Sequence, residues 1–274
     1  MSVDFCPGYG DEPFATLVRD CPGLDVYPFD SFRTEWGPIF HRGRLDGTAR
    51  LLAIGQDPGQ HEEILRRILV GTAGKRVQGF IHKLGLTSGY VLVNTFLYSV
   101  FGQWAGAAHI DDAGITDYRN RWIAALLDSS PIEAVVAFGG LADKAWQKWL
   151  ASPAAQGRPA LAFQHVPHPT SPESANKTAA ARAAATKAML QAYNAAVTAL
   201  RPAITQPELT PLPPLYGEAF TPADLPEIPN IDLPAGVPAW MAGERSWAVR
   251  QGDTVLAKRR TLVVTVPTGV IPAS

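Results

Sequence analysis

Cysteine is almost absent from this 274-residue chain: Cys6 and Cys21 are the two that occur, both near the N-terminus. Two thiols cannot ligate an iron–sulfur cluster or a four-cysteine zinc site. A disulfide between them would need an oxidising compartment. No apolar run approaches the length of a bilayer span, and the acidic, Pro-containing N-terminus lacks the basic-then-apolar order of a signal peptide. The chain is therefore expected to be cytoplasmic. Charge is also sparse, 18% Asp, Glu, Lys and Arg, and it nearly cancels to a net −1. That argues against a broad basic coat for nucleic acid but leaves room for a local basic rim, because a handful of phosphate contacts supplies affinity. His61, His82 and His165 have no coherent metal-ligand spacing, and no phosphate-cradling glycine loop occurs. No metal or organic cofactor is expected.

What is present suits one large domain, or one domain with an appendage. Four short, apolar, β-rich runs stand out: Arg50 to Ile54, Tyr90 to Asn94, Ala134 to Phe138 and Leu161 to Val166. Between them lie stretches with helical spacing: Glu62 to Leu69, Lys75 to Leu84, Asp117 to Leu127 and Leu141 to Leu150. An Ala-rich helix follows from about Ser174 to Leu200. Strands alternating with helices require crossover connections. The fold class predicted is α/β, a three-layer α/β/α arrangement around a central, mainly parallel four-stranded sheet. In such sheets ligands bind at the carboxyl ends of the strands.

Three of those ends carry chemistry. Gly55-Gln56-Asp57-Pro58-Gly59 follows the first strand, Asn94-Thr95 closes the second, and His168-Pro169-Thr170-Ser171-Pro172 follows the fourth. Glycines at 55 and 59 permit a sharp turn and close approach to a flat ligand. An Asp, a carboxamide and a His meeting in one crevice can polarise water, read a base edge and stabilise an anion. Each has a plainer reading alone: Asp57 as a helix cap, Asn94 as a strand-end polar group, His168 as a surface or capping residue. Their coincidence at three strand ends favours the chemical reading.

These residues resemble the uracil-DNA glycosylase superfamily. Gly55-Gln56-Asp57-Pro58 is similar to the first motif of its best-known branch, GQDPYH. His168-Pro169-Thr170-Ser171-Pro172-Glu173-Ser174 is similar to the second, HPSPLS, with Thr170 as an extra residue. Val91-Leu92-Val93-Asn94-Thr95 resembles the central strand ending in a base-reading Asn. Leu69-Val70-Gly71-Thr72-Ala73-Gly74-Lys75 resembles the F-V-G-x-[AS]-G segment of thermophile-type members. The resemblance covers roughly residues 45 to 200 and implies a cofactor-free hydrolase acting on uracil-containing DNA, single- or double-stranded, probing an extruded base. It further implies release of free uracil, and a monomer. By it, Asp57 would stabilise the sugar cation and orient water, and His168 would donate to the departing base. Asn94 and the backbone around Gln56 would hold uracil. Ser171 would meet DNA. Arg66, Lys75 and Arg76 are candidate phosphate contacts, with solvated helix faces as the alternative.

Three departures qualify the resemblance. Gly59 stands where the best-known branch has a Tyr that bars the thymine methyl, so C5-substituted uracils are sterically admissible. Leu69 replaces a Phe that stacks on the base, with Phe80 or Phe96 as substitutes or as core residues. Glu173 stands near the place of a Leu that wedges into the vacated stack. His109 could match a histidine that traps the abasic sugar in one branch, although the accompanying basic loop is missing. Competing functions are a glycosylase for another deaminated or C5-modified base, a non-catalytic binder of uracil or abasic DNA, and a generic nucleotide-binding protein. Residues 1–200 read as the catalytic domain and 201–274 as an extension. Pro202 to Pro238 is Pro-rich yet contains Leu212, Tyr216, Phe220, Ile228 and Ile231, which predicts an extended strap. Ser246 to Arg250 and Thr254 to Lys258 are predicted to form a β-hairpin, with Lys258-Arg259-Arg260 as a basic run.

Overall fold

The computed structural model describes residues 9–101, 105–242 and 246–270. In chain order the elements are α1 (Phe14–Arg19), β1 (His41–Gly43), β2 (Leu51–Gly55), α2 (Gln60–Leu65), α3 (Gly71–Lys83), β3 (Tyr90–Asn94), α4 (Ala105–His109), α5 (Ala113–Ser129), β4 (Ala134–Phe138), α6 (Gly140–Leu150), β5 (Ala162–Val166), α7 (Ser171–Ala175), α8 (Ala179–Leu200), β6 (Ala248–Arg250), α9 (Val255–Arg260) and β7 (Leu262–Val264). The four predicted strands form the parallel part of the central sheet, and β1 adds a fifth at its edge, giving the order β1-β3-β2-β4-β5. Strand β1 runs antiparallel to β3, His41 opposite Val93. Three residues that include His and Arg give no apolar alternation, so nothing in the sequence marked it.

Every residue of β2, β3 and β4 is buried, as expected of strands covered on both faces. Alternate residues feed two cores. Leu52, Ile54, Val91, Val93, Val135 and Ala137 pack with α1, α5 and α6. Leu51, Ala53, Leu92, Val136 and Phe138 pack with α3 and α8. Phe80 and Phe96, weighed as base-stacking residues, are fully buried in these cores: Phe80 against Phe138 and Tyr193, Phe96 against Phe32.

The helix expected over 62–69 stops at Leu65, because Arg66 and Leu69 both take left-handed backbone, φ 58° and 51°. The Ala-rich helix divides into α7 and α8, the Thr178 hydroxyl capping α8 by accepting from the Ala181 amide.

Beyond Leu200 the chain lies against the sheet domain. Asp224 pairs with Lys83 of α3 at 2.6 Å, and Asp232 pairs with Arg42 and Arg44 beside β1 at 3.0 and 2.8 Å. The Tyr90 hydroxyl donates to Asp232 at 2.6 Å. The predicted hairpin has a different second strand: β6 pairs antiparallel with β7, Arg250 opposite Leu262, and 255–260 is helix α9 instead. Thr254 caps that helix by accepting from the Ala257 amide, a local bond that wins over the Gln251-Gly252-Asp253 turn signal. Of the basic run, Arg259 is turned inward. Its guanidinium pairs with Glu35 through Nε at 2.7 Å and Nη2 at 3.0 Å and lies over Phe29.

Candidate active site

Sheet register brings the loops together. Gly55 and Asn94 are partners at the carboxyl ends of β2 and β3. Beyond them the Thr95 amide and hydroxyl each donate to the Gly55 carbonyl at 2.9 Å, and the Phe96 amide donates to the Gln56 carbonyl at 2.9 Å. On the other side Phe138 is partnered with Val166, and the Gly139 amide donates to the Val166 carbonyl at 2.8 Å. This positions the loop carrying His168. A crevice of about 460 Å³ opens between the loops, lined by Gln56, Asp57, Gly59, Leu69, Ala73 and His168, among others.

Asp57 is partly exposed at the crevice, and its Oδ2 accepts the Val100 amide at 2.9 Å. Burial pushes its carboxyl up, opposed by the Val100 amide, the Gln56 side chain and the charges of Arg33 and Arg250. His168 is held in the opposite wall. Its Nδ1 accepts the Thr170 amide at 3.3 Å and lies 3.1 Å from the Thr170 hydroxyl. An accepting Nδ1 leaves the proton on Nε2, and burial moves the ring below the usual histidine range. The histidine is thus a neutral Nε2–H donor near pH 7. The extra residue Thr170 sets its tautomer.

Asn94 is 5% exposed, and neither its Oδ1 nor its Nδ2 has a partner. Its Oδ1 would lie 2.3 Å from any Cβ at position 55, and a Leu69 methyl 3.3 Å from the same point. Gly55 is thus required for space, not for its φ, and Asn94 and Leu69 converge over it. Gly59 likewise has extended backbone. A Cβ there would meet the Glu62 carboxyl at 2.7 Å.

Glu62 had not been singled out from the sequence. Its carboxyl accepts the backbone amides of Gly59 and Leu69 and lines the crevice. Burial, reinforced by the Asp57 and Glu63 charges, pushes it up to about 8, against the pull of its amide donors. A Glu at the third position of α2, three residues after Gly59, supplies the half of a capping box in which the side chain returns to the N-cap amide. It holds Leu69 in its left-handed conformation, a state costly for a branched side chain and persisting where surrounding contacts determine it.

The remaining predicted residues divide. Ser171 opens α7 beside the histidine loop, its amide donating to the His168 carbonyl at 2.9 Å. Lys75 is partly exposed on α3. Arg66 and Arg76, proposed for phosphate, use their donors inside the protein. Arg66 donates to the Trp36 carbonyl at 2.6 Å and to that of Pro38. Arg76 is buried and donates to the Pro169 carbonyl at 2.6 Å and to Glu173 at 2.7 and 2.9 Å. Glu173 therefore folds back onto α3. His109 has both ring nitrogens engaged, Nδ1 with Asp112 at 2.6 Å and Nε2 with Ser31 at 2.7 Å. Among the described residues, no group of three or more His, Cys, Asp or Glu is arranged to hold a metal ion.

A search of the curated proteins returns no match to the chain. The family model of the uracil DNA glycosylase superfamily matches residues 42–197, more than half of the sequence, and spans the Asp57, Asn94 and His168 loops. The chain belongs to the uracil DNA glycosylase superfamily.

Proposed function

We propose that the protein hydrolyses the N-glycosidic bond of deoxyuridine in DNA, releasing uracil and leaving an abasic site. The observation that carries this reading is the Asn94 carboxamide, buried with donor and acceptor both unspent. A buried amide without partners costs free energy unless a ligand supplies them. In one orientation it offers a donor to the uracil O4 and an acceptor to N3–H, whereas cytosine presents the reverse pattern. With the extruded base over Gly55 and against Leu69, its other face meets the two reacting groups. As the glycosidic bond lengthens, positive charge grows on the sugar and negative charge on the base. The Asp57 carboxylate offsets the first and orients the attacking water. The His168 Nε2–H donates to the developing oxyanion and need not transfer its proton.

Single-turnover base release from single- and double-stranded uracil DNA tests the reading. Asp57→Asn and His168→Ala should each slow excision about 100-fold or more, the usual cost of losing one transition-state donor or charge, with binding retained in Asp57→Asn. Excision by both variants within a few-fold of wild type removes the assignment. A second reading, a glycosylase that also accepts C5-substituted uracils, is favoured by exposed Gly59 at the crevice rim, which presents no side chain.

A further inference from the structure

Asp57 is held from within the family-matched span 42–197, and the loop that holds it is reached by two guanidinium groups from outside that span. The loop after β3 carries Ser99 and Val100, and the Val100 amide holds the Asp57 carboxylate at 2.9 Å. From the N-terminal flank, Arg33 donates through Nη1 to the Ser99 hydroxyl at 3.1 Å and to the Val100 carbonyl, and lies over the Phe101 ring. From the C-terminal flank, Arg250 at the end of β6 donates to the same hydroxyl at 3.2 Å and to Glu63 at 2.6 Å. Two guanidinium groups thus meet on one hydroxyl, adjacent to the amide that fixes Asp57.

We propose that Arg250, together with Arg33, is a positioning residue for Asp57, so that the C-terminal ribbon completes the catalytic centre. The inference rests on the reading of Asp57 as the group that acts at the sugar. Two needs explain the arrangement. Burial alone favours the protonated carboxyl, and a passing polyanion favours it further, since negative potential attracts protons. Fixed positive charge opposes both, and Arg33 and Arg250 each act on Asp57 in that sense. The groups in play are the Val100 amide and Gln56 at the carboxylate, Glu62 from α2 as a neutral acid, and Glu63 from the same helix as counter-charge to both arginines. The two arginines face Asp57 and Glu63, and their charges oppose the rise that burial imposes on both carboxyls.

The pH–rate profile of single-turnover excision and a carbon-13 titration of the Asp57 carboxyl, assigned with Asp57→Asn, test this on the full chain. Arg250→Gln should move the acidic limb and the titration to higher pH. The rate at pH 6 should fall about three- to tenfold, one unit being tenfold, while the rate at pH 9 stays within about twofold. Arg250→Lys should restore most of the shift. Glu63→Gln removes a negative charge facing both arginines and should move the titration to lower pH. Opposite signs from two partners of one ion pair are not produced by general loosening. If Arg250→Gln does not fold, the Glu63→Gln shift decides. Superimposable titrations, or a uniform rate loss at every pH with unchanged titration, overturn the proposal. A chain without excision activity whose Asp57 titration still moves as stated loses the glycosylase reading and keeps the coupling of Arg250 to Asp57 without its catalytic part.

Discussion

Glu62 carries a consequence for stability that follows from its burial. Its ordinary value is 4.5 and its folded value about 8. A carboxyl raised on folding contributes stability that is fully present below the unfolded value and is lost as pH rises through the folded one. Glu62→Gln removes that dependence. Its melting temperature relative to wild type should therefore climb by roughly several degrees between pH 5 and pH 8; a constant deficit across that range would sink the assignment. Gly59 makes a second prediction at this scale. Gly59→Tyr should abolish any excision of thymine or bulkier C5-substituted uracils while leaving uracil excision detectable but slowed, because the new Cβ displaces the Glu62 carboxyl that anchors Leu69. Base-release assays on paired uracil and 5-substituted substrates decide it. Wild-type rejection of every 5-substituted base would mean that another group closes the pocket.

At the scale of elements, α3 and α7 are coupled through Arg76, which joins the Pro169 carbonyl to Glu173 across the histidine loop. Arg76→Met keeps much of the buried stem and removes the fork. It should slow excision about tenfold or more, since small misplacement of a catalytic group costs that much, with the slope of affinity against salt unchanged because no phosphate contact is lost. A shallower salt slope would place Arg76 on DNA after all. The sequence announced where such elements lie but not how they are joined. Short continuous apolar, β-rich runs bounded by Gly, Pro, Asn or Asp located the four parallel strands within a residue, and three motif-bearing loops fell at their carboxyl ends. Left-handed Arg66 and Leu69 were illegible, because both look like good helix residues, while bonds to the Glu62 carboxyl and to the Trp36 and Pro38 carbonyls hold the turn. Inward Arg76 and Arg259 were equally hidden: a cation on a helix carries no mark of whether it faces water or a carboxylate. Arg33 sits in an aperiodic segment and Arg250 at the end of a predicted hairpin strand, and in neither place does the pattern single out one charge.

For the whole molecule, the extension contributes buried charged groups to the sheet domain. Asp232, with a side chain 0% exposed, pairs with both Arg42 and Arg44 and accepts from Tyr90. Removing one partner of a buried ion cluster costs about 3–5 kcal/mol through the charge left behind. Asp232→Ala should lose stability of that order in denaturant titration, and a loss under about 1 kcal/mol would show that solvent reaches the arginines. Truncation after Leu200 strips Asp224, Asp232 and Arg250 together and should give no cooperative unfolding transition, measured by circular dichroism. A soluble, cooperatively folding truncation would return the extension to the status of a linker.

Arg42 and Asp232 are 190 residues apart in sequence. During synthesis the edge of the sheet therefore emerges long before the carboxylate that pairs with it. Until the strap has cleared the ribosome, Arg42 and Arg44 lack the Asp232 partner that they share in the finished fold. Closure of that long loop is an entropic step that local helices cannot hasten. If truncation after Leu200 abolishes cooperative folding as expected, a messenger cut short of the strap yields an unfolded chain and not a smaller working unit.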